Sequence, residues 1–65
     1  MQKNIEVGLK VMYRLYNSMD GKFDDEIKYG KVIEIDLESP KPYIVEHRYF
    51  GQIAIKKMEI MGVAG

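Results

Sequence analysis

The chain has no cysteine and a single histidine, His47, so neither disulfides nor a cluster of soft metal ligands can hold its 65 residues together. A chain this short buries only about 60% of the surface it exposes when unfolded, so it depends on one efficiently packed core or on a partner. Residues 1–65 therefore read as a single small domain, with an ordered core expected over about 7–61. Hydrophobic residues at 46% beside charged residues at 31% exclude both a disordered chain and a membrane-embedded one. No apolar run nears the roughly 18 residues of a membrane span. Around Ile5 the amino terminus carries Lys3 and Glu6, without the apolar stretch of a secretory signal, so the expected compartment is the cytoplasm.

The apolar pattern has mostly the period of strands. From Gly8 to Tyr16, Leu9, Val11, Tyr13 and Leu15 alternate with Lys10, Met12, Arg14 and Tyr16. Ile5, Leu9, Met12, Tyr13 and Tyr16 also fit a helical stripe, so both readings are open over 1–16. Val and Tyr suit a pleated surface and Gly8 weakens a helix, which favours the strand. Residues 17–26 bring turn formers and three consecutive acids with no periodic apolar face, and read as a long loop. A second strand is expected over Tyr29–Leu37, where Ile33, Ile35 and Leu37 alternate with Glu34 and Asp36. Gly30 and Val32 break that alternation and mark a bulge or bend. Pro40 and Pro42 form a stiff turn, Tyr43–Arg48 a third strand, and Tyr49-Phe50-Gly51 a hairpin corner leading into a fourth strand, Gln52–Lys56. A helical turn at Lys56–Met58 precedes a last strand, Glu59–Met61, and residues 62–65 read as a frayed tail. The expected core comprises Val7, Leu9, Val11, Tyr13, Val32, Ile33, Ile35, Tyr43, Val45, Ile53, Ile55 and Ile60.

Five short strands can bury one face by curling into a small barrel. The order of their connections resembles the Src-homology-3-like barrel: a long first loop, a shorter second loop, a tight distal hairpin, then one 3₁₀ turn. Gly30-Lys31-Val32-Ile33-Glu34-Ile35-Asp36, then Pro42-Tyr43-Ile44-Val45-Glu46, then Ile55 with Ile60 five residues on, are similar to small bacterial and phage members of that fold. The resemblance spans about residues 7–61 and implies an all-β, five-stranded barrel. By analogy it implies a prophage or mobile-element accessory protein. Tyr13 and Tyr16, with Asp20, Asp24, Asp25 and Glu26, are faintly similar to the aromatic motif and the arginine-recognising loop of the proline-peptide-binding branch. That branch also needs a Trp and a late Asn-Tyr pair, and the chain has neither, so half of its groove is missing.

Candidate chemistry is sparse. With Gly21 at the sixth position of an EF-hand loop, Tyr16 and Ile27 fall at the first and twelfth, where carboxylates are required, so the calcium motif fails. His47 has no cysteine or second histidine to join it in a zinc site or a nucleophile pair, and reads as a structural histidine. The only serines, Ser18 and Ser39, lie in turn-forming stretches, and no glycine run precedes a helix as a phosphate cradle would. No enzymatic activity, cofactor or metal is expected.

Binding functions remain. The first is a protein-interaction module using the acidic loop residues Asp24, Asp25 and Glu26 with Tyr16, Tyr49 and Phe50, the aromatics expected near loop tips. The second is a nucleic-acid-binding barrel using Lys10, Arg14, Arg48, Lys56 and Lys57 beside Tyr16 or Tyr49. Ten basic and ten acidic residues cancel, and the segment 23–39 is net acidic at −4, which weighs against the second. Self-association through an edge strand, completing so small a core, is a third possibility.

Overall fold

A computed structural model describes residues 5–64, and within them the protein is all-β. Seven strands occur: β1 (Lys10–Tyr13), β2 (Tyr16–Asn17), β3 (Lys22–Phe23), β4 (Lys28–Ile35), β5 (Tyr43–His47), β6 (Gly51–Ile55) and β7 (Ile60–Val63). One 3₁₀ turn, Lys57–Glu59, precedes β7. Five strands form an antiparallel sheet in the order β6-β5-β4-β1-β7, and β2 and β3 pair with each other. Among the described residues, no ladder joins the two edge strands β6 and β7.

The core follows from the inward residues of this sheet. Val11, Tyr13, Val32, Tyr43, Val45 and Ile55 are buried, and Ile5, Leu15, Ile35, Ile53 and Ile60 pack against them. Gly30 is buried because Val45 lies against it: a Cβ added there would stand 3.1 Å from Val45 Cβ. Facing Val11 in the β1–β4 register, it lets the sheet close over the valine. The register between β4 and β5 shifts between Val32 and Glu34, so the bulge sits at Ile33, one residue past the expected break. That extra residue keeps both Val32 and Ile35 on the core side.

Several expectations are corrected. The first strand is shorter than Gly8–Tyr16: β1 spans Lys10–Tyr13, and just past it the Arg14 N–H donates to the Glu59 carbonyl at 3.0 Å on the β7 side. Val7 is 60% exposed and Leu37 78% exposed, because Val7 lies in a turn ahead of β1 and Leu37 follows the end of β4. Leu9 and Ile33 are half-buried. The loop over 17–26 is not structureless: Tyr16 pairs with Phe23 and Asn17 with Lys22, with a turn between them. Residues 62–64 are no frayed tail, since Gly62 and Val63 pair with β1 and the Ala64 N–H donates to the Lys10 carbonyl at 2.7 Å. Residues 1–4, where the strand and helix readings began, and Gly65 lie outside the described residues. The distal hairpin turns at residues 48–50, with Gly51 at φ +81°, a conformation that side-chain-bearing residues rarely adopt.

Candidate functional site

The first loop is built around β2 and β3. Tyr16 and Phe23 meet edge to face, with ring centroids 5.0 Å apart, and the Gly21 N–H closes the turn onto the Asn17 carbonyl at 2.8 Å. The Asn17 side chain accepts from the Met19 N–H at 3.0 Å, a local bond that a turn-forming Asn supplies. The loop is tied back by charge. Arg14 Nε donates to the Asp24 carbonyl at 2.7 Å, and Lys28 Nζ lies 3.5 Å from Asp24 and 3.3 Å from Glu26. The Glu26 N–H bond, with Lys28 nearby, holds the Asp24 carboxyl below its ordinary value, and the Glu26 carboxylate pulls the Lys28 ammonium above its own. Asp24 and Glu26 are therefore engaged within the loop, whereas Asp25 stands only 3.9 Å from Arg14 and is fully exposed.

The loop is anchored by Glu59, a carboxylate left only 6% exposed. Its Oε2 accepts from the Tyr16 N–H and its Oε1 from the Lys56 N–H, each at 2.8 Å. The second bond is the glutamate half of a capping box on the 3₁₀ turn. The lysine at the cap has no acceptor to return the other half, and the Glu59 N–H donates to the Lys56 carbonyl at 2.9 Å instead. One side chain thus fastens the first loop to the turn before β7.

Where the loop meets β4 and the distal hairpin, an apolar groove of about 380 Å³ is lined by Ile27, Tyr29, His47 and Phe50 together with Glu26 and Lys28. It continues into a hollow of about 230 Å³ over Tyr13, Leu15, Gln52 and Ile53; Lys28, His47 and Phe50 line both. His47, half-buried at the end of β5, is bonded through Nε2 to the hydroxyl of the fully buried Tyr13. With the imidazole neutral, the hydroxyl donates and Nε2 accepts. Burial, and then the Glu59 carboxylate, push the Tyr13 phenol above its ordinary 10.0. Phe50, 83% exposed, stands edge-on to His47 with centroids 6.1 Å apart.

The proposed interaction residues divide between two places. Glu26 and Phe50 share the apolar groove; Tyr16, Asp24 and Asp25 line a separate, more polar hollow along the first loop. Tyr49 belongs to neither and is covered only by Arg48, whose guanidinium carbon lies 6.0 Å from the ring centre. Of the nucleic-acid set, Lys10 and Arg48 line one groove on the outer side of the sheet, Arg14 is spent on the first loop, and Lys56 and Lys57 are exposed at the 3₁₀ turn. The sequence reading missed Glu59, Ile27 and His47 as site-forming residues. For Glu59 a signal existed in its position three residues after the turn's cap, but Lys56 stands where a capping box carries Ser or Thr.

Ser39 Oγ accepts from the Lys41 N–H at 3.3 Å in the second loop, and Ser18 is exposed. Among the described residues, no three His, Asp or Glu side chains are placed to hold a metal ion, and no helix is long and apolar enough to cross a membrane. Comparison with known proteins finds no matching family model, curated protein or solved structure.

Proposed function

We propose that this chain is a non-enzymatic protein-interaction module of the cytoplasm, built on a Src-homology-3-like barrel, and that its partner docks in the groove between the first loop and the distal hairpin. The barrel reading is supported by the strand order β6-β5-β4-β1-β7, in which the first strand lies between β4 and the last, and by the bulge at Ile33, which bends the long strand β4. The observation that carries the function is Phe50. A phenylalanine left 83% exposed costs the isolated domain hydrophobic stabilisation, and it stands at the mouth of a concave apolar surface formed by Ile27, Tyr29 and His47. A lining that is mostly apolar with a few charged side chains, here Glu26 and Lys28, has the composition of a small protein interface. His47 Nε2 is bonded to the buried Tyr13 hydroxyl, which fits the structural role read for this histidine.

The test compares bacterial lysate proteins crosslinked to the parent, to Phe50→Ser and to Tyr49→Ser, each after nuclease treatment. Partners held through the groove are lost with Phe50→Ser and kept with Tyr49→Ser, since Tyr49 is equally exposed but lies outside it. A partner set indifferent to Phe50→Ser refutes the groove as the docking site.

A further inference from the structure

We infer that the outer side of the sheet carries a second binding face, distinct from the apolar groove but sharing Tyr29 with it, for a single strand of nucleic acid. β1 and β4 place Lys10 directly opposite Lys31, and Lys31 in turn stands opposite Glu46 on β5. Directly opposed side chains in an antiparallel pair lie about 5 Å apart at Cβ, and like charges there oppose folding. Among the described residues, the only ion pairs are those of Arg14 and Lys28 with the first-loop acids, so neither Lys10 nor Lys31 is neutralised by a salt bridge. Arg48 joins them from the distal hairpin on a groove of about 360 Å³, whose net charge is +2 with Glu46 counted. A like-charge pair only partly offset by Glu46, with a third cation beside it, leaves a net positive groove complementary to a polyanion.

Two features favour nucleic acid over an acidic peptide. Tyr29, 52% exposed, lines this groove beside the three cations and offers a ring on which a base can stack. The rest of the lining is Gly8, Gly30 and Glu46, and the Cβ position of Gly8 has no atom within 4 Å, so a sugar-phosphate backbone can approach the main chain there. Tyr49, packed under Arg48, extends the aromatic surface toward the hairpin tip. Among its lining residues Tyr29 is the one aromatic, a stacking surface for single unpaired bases rather than a duplex.

The experiment is fluorescence anisotropy with labelled oligothymidylate and mixed-sequence RNA of about 10 nucleotides, within the span of known single-strand sites, titrated across a salt series. Three phosphate contacts give a log–log salt slope of about −2, so affinity falls about fourfold for each doubling of salt. Lys10→Gln, Lys31→Gln and Arg48→Gln are each expected to reduce the slope by about 0.7. Lys22→Gln and Lys41→Gln, which change net charge equally at exposed positions outside the groove, are expected to leave affinity within about twofold. Tyr29→Leu is expected to weaken binding about fivefold or more, with Tyr29→Phe restoring it, because only the ring is needed. Lys10→Gln is also expected to raise the melting midpoint of the free protein by relieving the repulsion from Lys31, a readout independent of any ligand. Absence of oligonucleotide binding at low salt overturns the inference. So does equal loss with the groove and control lysines, and so does polyglutamate binding as tightly as the oligonucleotides with no effect of Tyr29→Leu, which assigns the face to an acidic protein. Because Phe50 lies outside this groove, Phe50→Ser separates failure of this site from failure of the apolar one.

Discussion

Replacing Glu59 tests the most consequential contact in the fold. Its carboxylate accepts the Tyr16 and Lys56 N–H groups at 2.8 Å each, inside a site that leaves the residue 6% exposed. Hydrogen bonds to a charged group contribute about 1.5–3 kcal/mol each, and truncation leaves both donors without their acceptor, so Glu59→Ala is expected to cost about 3 kcal/mol or more. A domain of this length has a total stability of only about 3–10 kcal/mol, and each kilocalorie moves the midpoint by about 4–8 °C. The variant is therefore expected to melt at least about 12 °C below the parent, or to be unfolded at room temperature. Glu59→Gln keeps the shape and one acceptor oxygen but turns an amide NH₂ toward the second donor, so an intermediate loss is expected. Thermal melts followed by circular dichroism give the ordering. Amide exchange on Glu59→Gln, which stays folded, gives the location: faster exchange at Tyr16 or Lys56 without a matching change at Val45. Melts of Glu59→Ala within about 3 °C of the parent would refute the reading of Glu59 as the clamp between the first loop and the 3₁₀ turn.

Gly30→Ala is expected to cost about 1–3 kcal/mol by overpacking, because the new Cβ would stand 3.1 Å from Val45 Cβ with strand backbone on both sides; a melt that overlays the parent counts against that close approach. Val45→Ala, at a fully buried position, is expected to cost about 1–3 kcal/mol, whereas Leu37→Ala, 78% exposed, is expected to be neutral within about 0.5 kcal/mol, and equal denaturation midpoints for the two would invert the assignment of faces. The Tyr13 phenol is held above 10.0 by burial and then by Glu59, so as pH rises the unfolded chain ionises first. The stability this group contributes is whole below about pH 10 and is lost as pH climbs through the folded value. Tyr13→Phe, though less stable at neutral pH for want of the His47 bond, is expected to show a flatter alkaline limb in melting midpoint against pH, and an unchanged limb refutes the shift.

The fold was legible wherever the period of two was undisturbed. Tyr43, Val45, Ile53 and Ile55 alternate without interruption, and β5 and β6 pair in unbroken register around a turn whose Gly51 has the positive φ that the hairpin needs. The signal failed where tertiary contacts override alternation. Arg14, Leu15 and Tyr16 continue the alternating pattern of β1, yet its ladder with β4 ends at Tyr13, and the next N–H groups go to Glu59: its carbonyl takes the Arg14 N–H and its carboxylate the Tyr16 N–H. Both acceptors come from more than forty residues along the chain, beyond the reach of any local pattern. Val63 was lost for the opposite reason. Gly62 and Gly65 make the carboxy terminus look like a tail, but Gly62 and Val63 pair with the free edge of β1, Val63 opposite Val11.

The candidate sites were legible only as residue types. Charge alone grouped Lys10, Arg14, Arg48, Lys56 and Lys57, but the fold separates them. Arg14 is consumed by the first loop, and Lys31, hidden in an acidic segment of sequence, is the residue that β4 carries to Lys10. Cross-strand register, and not sequence neighbourhood, decides which charges meet, and here the unbroken β1–β4 ladder sets it. The same ladder carries Tyr29 opposite Met12, and Tyr29 lines both grooves. A partner filling the apolar groove would therefore touch the ring that the nucleic-acid face also needs. Occupancy of one site is expected to weaken the other, which a titration of oligonucleotide against the protein with its groove partner already bound would read as a raised Kd; an unchanged Kd would mean that the ring serves only one side.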